Sequence, residues 1–136
     1  MGLVPKKTKF RKHQRRRLRG KATRGATVSF GEFGLQALES AYLTTNQIEA
    51  ARKALTHYLK RGGKVWIRPL ADKIITARAA ETLMGGGKGA PVAFVAPVKR
   101  GHIIIEIAGV NKEDAKVAMR LADSKLPIAT RFVEKI

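Results

Sequence analysis

The residues between Ala80 and Val92, "AETLMGGGKGAPV", hold a lysine, Lys88, among four glycines, a combination that invites a phosphate-binding reading. A nucleotide-gripping loop needs G-x-x-x-x-G-K-[ST] between a strand and a helix. Five residues before Gly87 stands Thr82, and Lys88 is followed by Gly89 instead of a magnesium-holding Ser or Thr. Pro91 and the run "VAFV" lead into a strand, so no helix N-terminus follows to receive the phosphate. Nucleotide binding fails on all three counts. His13, His57 and His102 lie more than forty residues apart, and no carboxylate stands at ligand spacing from any of them. Asp72, Glu81 and Glu106 form no pair suited to acid-base work and are expected to answer nearby cations. The chain therefore reads as a non-enzyme without metal, cofactor or small-molecule substrate.

What the residues do support is contact with a polyanion. Lys and Arg number 28 against 10 Asp and Glu, a net charge of +18. Eleven of the basic residues fall in the first 25, where there is no acid, leaving +7 for the rest. Lys6, Lys7, Lys9, Arg11, Lys12, Arg15, Arg16, Arg17, Arg19 and Arg24 are candidate RNA contacts, with Phe10 as a stacking or anchoring aromatic. On the body, Arg52, Arg61 and Lys64 are added to them. No zinc finger, basic region with heptads or helix-turn-helix is visible, so recognition of backbone and shape is expected. There is no cysteine and no run of roughly 20 apolar residues, and the basic start does not read as a secretory leader or an organellar presequence. No membrane partner is expected.

Positioning these groups requires a folded body, and 136 residues suit a single domain. Residues 1–26 read as a basic extension and 27–136 as the domain, with a loop over 77–91. Val28 and Phe30 alternate with Ser29 and Gly31, the pattern of a strand or hairpin. Ile48, Ala51, Leu55 and Leu59 recur at helical spacing, with Thr44, Thr45 or Asn46 as cap and Gly62 as stop. Its other side carries a basic stripe of Arg52, Lys53, His57 and Lys60. "KVWIRPL" reads as a buried strand ended by Pro69, and 73–78 is ambiguous between a short strand and irregular backbone. Residues 92–98 and 102–108 read as a hairpin turning at Arg100 and Gly101. A second helix over "KEDAKVAMRLADSKL" turns Ala115, Val117 or Ala118, Leu121 and Ala122 inward, and a last strand closes the chain. The predicted class is α+β, a mostly antiparallel sheet with two helices packed on it.

In this order the segments "PKKTKFRKHQRRRLRG" (5–20), "GLQALESAYLTTNQIEAARKAL" (34–55), "RGGKVWIR" (61–68), "DKIIT" (72–76), "ETLMGGGKGAP" (81–91), "PVKRGHIIIEIAGV" (97–110) and "ADSKLPIATRFV" (122–133) closely resemble the bacterial and organellar L-sixteen family of large-subunit ribosomal proteins. The resemblance implies an α+β protein near the central protuberance that binds large-subunit rRNA, supports subunit assembly and contacts A-site tRNA near the peptidyl-transferase region, with P-site tRNA as a secondary contact. By family pattern Lys6, Lys9, Phe10, Arg11 and Lys12 bind rRNA. Leu83, Met84, Gly85, Gly86, Gly87, Lys88 and Gly89 form the loop nearest tRNA. The 5S rRNA and neighbouring subunit proteins are further expected partners, and a cytoplasmic ribosome is expected ahead of an organellar one. The alternative is a free, nonspecific RNA- or DNA-binding protein or RNA chaperone. Three positions depart from the family. Leu83 stands where an Arg is usual, excluding hydroxylation of that arginine; Gly86 replaces a Lys or Ser; Ile74 replaces a Pro at the start of the loop.

Overall fold

The computed structural model describes residues 4–14, 17–60, 62–81 and 84–136. Its elements run β1 (Phe33–Ala37), β2 (Ala41–Thr44), α1 (Thr45–Leu59), β3 (Lys64–Ile67), β4 (Lys73–Ala77), β5 (Ala90–Val98), β6 (Ile103–Ala108), α2 (Lys112–Asp123) and β7 (Thr130–Glu134). The α+β class is as expected, and the strands divide between two antiparallel sheets. One has the order β3-β6-β1-β7, the other β2-β5-β4.

The predicted hairpin of 92–98 with 102–108 does not form. β5 pairs with β2 and β4, whereas β6 pairs with β1 and β3. The reason lies at Lys99–His102, where Gly101 (φ 98°) and its neighbours bond Ala37 and each other and turn the chain from one sheet into the next. Tight turns between apolar runs do not by themselves say that the runs pair. The ambiguous segment at 73–78 is strand β4, paired with β5, so the glycine loop is the tip of a β-hairpin. The strand expected around Val28 is also absent: residues 27–31 run as irregular backbone, and the strand starts at Phe33.

Helix α1 starts at a capping box. The Thr44 hydroxyl accepts the Gln47 N–H, and the Gln47 side chain accepts the Thr44 N–H. It ends at Lys60 in the left-handed region (φ 51°), two residues before Gly62. Asn111 caps α2 by accepting the Asp114 N–H. That helix buries Ala115, Ala118, Met119 and Ala122, whereas Leu121, expected inside, is 40% exposed. α2 lies against β1 and β7, α1 against β2 and β5, and the helices pack on each other. The core joins Ile48, Ala51 and Leu55 of α1 to Leu43, Val98 and Ile104, Ile105 and Ile107 of β6, so both sheets close on one apolar interior.

The helices cover one face of the four-stranded sheet. Residues 22–31 cross the other. The Ala22 amide bonds the Arg100 carbonyl (2.8 Å), the Ile103 amide bonds the Gly25 carbonyl (2.7 Å), and Val28 is buried over Gly34. A Cβ at Gly34 would stand 2.8 Å from the Val28 side chain, so the bare backbone is what admits this crossing.

Candidate nucleic-acid interface

The crossing segment is fastened by a carboxylate. Glu106 sits mid-strand in "HIIIEIAG", fully buried, on the face of β6 away from the helices. Its Oε1 accepts three consecutive amides, from Ser29 (2.8 Å), Phe30 (2.8 Å) and Gly31 (3.0 Å), while its Oε2 pairs with the Arg68 guanidinium. Burial by itself would push this carboxyl up. The Gly31 amide, the Arg68 guanidinium and the Phe30 and Ser29 amides outweigh that and hold it below the usual carboxylate range. Glu106 thus answers a nearby cation, as expected of it, and does more by closing the last turn of the crossing onto the sheet. An acid alone in a run of isoleucines is the sequence signal for such a buried anchor, because a charge there must be paired.

Along the first stretch of the chain the candidate RNA contacts lie open to solvent. Lys6, Lys7, Lys9, Arg11, Lys12, Arg17, Arg19 and Arg24 are exposed, and Phe10 is 73% exposed. Arg15, Arg16, Arg61 and Leu83 lie outside the described residues. Lys64 is exposed at the start of β3. Arg52 is engaged with Glu49 one turn earlier in α1; the Arg52 hydrogen bond lowers the Glu49 pKa and the pairing raises that of Arg52. From the same basic stripe, the Lys53 and Lys60 ammonium groups form no ion pair among the described residues. With Lys125 at the end of α2 they rim a groove floored by Ala50, Ala54 and Leu121.

The hairpin tip is shaped by its glycines. Gly85, Gly86 and Gly87 have φ of 88°, 82° and 88°, a region that L side chains rarely adopt, and a Cβ on any of them would meet open space. Backbone conformation, and not crowding within the chain, is what demands glycine there. At Gly89 the reason is contact: a Cβ would stand 2.6 Å from the Ala77 backbone across the hairpin. Met84 beside them is fully exposed. The Arg78 guanidinium closes the tip on the Gly87 carbonyl.

The basic stretch and the tip are far apart in sequence, and the fold brings them together. The Lys12 Nζ donates to the Lys88 carbonyl (3.0 Å), and the Lys88 Nζ donates to the His13 carbonyl. The Ile74 amide, on the outer side of the edge strand β4, donates to His13 Nδ1 (3.3 Å). Residues 12–13 are therefore laced along the hairpin from β4 to the tip. Nothing local in the sequence signals a contact across 76 residues. Among the described residues no three His, Asp or Glu side chains cluster as a metal site, and no helix is long and apolar enough to cross a membrane.

The family described as ribosomal protein L16p/L10e matches residues 5–133. The chain is 59% identical over 133 residues to the large ribosomal subunit protein uL16c of Gracilaria tenuistipitata, covering 98% of each chain. It is 60% identical over 131 residues to the large ribosomal subunit protein uL16 of Trichodesmium erythraeum (strain IMS101), covering 96% of each. Since these relatives are chloroplast and cyanobacterial proteins, the expectation that an organellar ribosome is the lesser alternative is not borne out.

Proposed function

We propose, from the premise that this chain belongs to the ribosomal protein L16p/L10e family and is a structural, non-enzymatic constituent of the large ribosomal subunit, a specific division of labour within it. It partners rRNA on the ribosome. Residues 1–26 form the rRNA-binding extension, with Lys6, Lys7, Lys9, Phe10, Arg11, Lys12 and the arginines that follow as its contacts, and Arg52, Arg61 and Lys64 add contacts from the 27–136 domain. Residues 83–89, at the tip of the 77–91 loop, lie nearest A-site tRNA, with P-site tRNA as a secondary contact. Subunit assembly and tRNA positioning are the consequences, and the 5S rRNA and adjacent subunit proteins are neighbours.

The observation that carries this division is the lacing of Lys12 and His13 to Lys88. A stretch anchored on rRNA would thereby hold the glycine tip at a set height above it. Among the described residues of the tip, Met84 and Lys88 alone carry side chains, and the rest is glycine backbone. The mechanism is electrostatic for the extension and steric for the tip.

Gradient sedimentation of a cell lysate tests the reading. The protein is expected to remain with the large subunit through a high-salt wash. Finding most of it at the top of the gradient would instead favour a free nonspecific nucleic-acid-binding protein or chaperone.

A further inference from the structure

Phe30 is 60% exposed, yet its backbone and ring are both held by the four-stranded sheet. Its backbone amide and those of both neighbours are bonded to the buried Glu106. A Cβ at Gly31 would stand 2.6 Å from the Ile107 carbonyl, so the backbone beside the ring lies flat against β6. The ring itself rests on Trp66, with centroids 6.3 Å apart and planes 23° from parallel, and the Arg68 guanidinium carbon is 5.0 Å from its centroid. Arg68 is in turn held by Glu106.

Covering Trp66 needs only an apolar side chain of about the right size, and does not need a buried carboxylate, three amides and an arginine to orient it. A rigid aromatic face turned to solvent is what a stacking partner requires, because little freedom remains to be lost when it binds. The setting matches one ligand class. β3 is an edge strand, and strand alternation puts Lys64, Trp66 and Arg68 on one face, with Lys64 exposed. Lys135 donates to the Ser29 carbonyl beside the ring (3.4 Å). No acid other than the neutralised Glu106 pairs with these groups among the described residues. An aromatic face flanked by cations is the arrangement that takes a base on the ring and its phosphates on the rim.

We infer that Phe30, backed by Trp66 and Arg68, is a stacking platform for one unpaired nucleobase of the large-subunit rRNA. This rests on the rRNA-binding role proposed above and adds a contact to it beside the four-stranded sheet, whereas the glycine tip belongs to the three-stranded one.

Three variants separate stacking from mere cover: Phe30→Leu, which keeps the apolar lid, Phe30→Trp, which keeps an aromatic face, and Lys64→Ala. Binding to large-subunit rRNA transcribed in vitro is measured across a salt series with the full chain, after thermal melts confirm folding. Phe30→Leu is expected to weaken binding by roughly 5- to 150-fold with an unchanged salt slope, since a stacked base releases no counterion. Phe30→Trp is expected to bind as the parent does. Lys64→Ala is expected to lower the slope by about 0.7–0.9. Parental affinity of Phe30→Leu overturns the platform and leaves the rRNA-binding role intact. So does rRNA affinity retained alongside loss of the protein from large subunits, which would place a protein neighbour on the ring. Absence of saturable binding by the parent chain removes both readings.

Discussion

Glu106 and His102 set how the folded chain answers acid. Glu106 has a folded-state pKa below its ordinary value of 4.5, so its stabilising contribution is complete above that pH and is lost as pH falls through the folded value. His102, pushed below 6.5 first by burial and then by Arg68 and Lys99, stays neutral in the fold while the unfolded chain gains a proton. Stability therefore declines in two stages on acidification, the first beginning near pH 6.5 and the second below 4.5. Urea melts across pH are expected to show both, with His102→Asn removing the upper stage and Glu106→Gln the lower. Among the described residues the buried His102 Nδ1 has no hydrogen-bond partner, and a Cβ on Gly25 would meet its ring at 2.9 Å, so the site has little room to relax around a charged imidazole. Glu106→Ala leaves Arg68 and three amides unanswered and should destabilise by about 3–5 kcal/mol, the range for breaking one side of a buried pair. A loss under about 1 kcal/mol in the same melts would show that the 29–31 turn does not depend on it.

At the scale of elements, the consequential contact is that of residues 12–13 on the β4–β5 hairpin. β4 is a sheet edge, and His13 takes up the Ile74 amide that such an edge leaves open. Exposed hydrogen bonds of this kind contribute about 0.5–1.5 kcal/mol each, enough to bias a hairpin tip and too little to define the fold. Lys88→Met keeps the length of the side chain and removes its bond to His13. It should raise amide exchange at Ile74 and around the tip by roughly 2- to 10-fold without a measurable change in global stability. Unchanged exchange would mean that Arg78, the Lys12 bond to the Lys88 carbonyl and the strand pairing hold the tip without the Lys88 side chain. The tip glycines make the complementary case. Serine at Gly85, Gly86 and Gly87 would force side chains into positive φ and redirect the tip, with subunits expected to assemble but to place tRNA poorly. Normal translation by such ribosomes would count against a role for the tip.

For the whole molecule, charge is distributed unevenly around a neutralised interior. The first 25 residues carry +11 of the net +18. Neutralising about 6–10 phosphates would cost rRNA affinity roughly 10³–10⁵-fold between 50 and 200 mM salt on the duplex calibration. Removing residues 1–21, which ends before Ala22 bonds to Arg100, should cut the salt slope by roughly half or more while leaving the body folded. A slope unaltered by that truncation would transfer the electrostatic role to the body, where Lys53, Lys60 and Lys125 rim the α1–α2 groove.

The sequence by itself determined the α+β class, both helices with the buried positions of α1, the polyanion partner and the family, because these follow from short-range periodicity, from summed charge and from motifs read in order. The tertiary structure alone decided which strands pair. Turning of the chain between the runs at 92–98 and 102–108 sends β5 and β6 into different sheets, and local alternation carries no record of a partner 50 residues away. The same limit hid the site. Glu106 could be seen as an acid needing a partner, but not that residues 29–31 would supply it from 75 to 77 residues away. Lys88 could be read as a cation on a glycine loop, but its place beside Lys12 and His13 exists only once β4 and β5 have paired and brought the basic stretch against their edge.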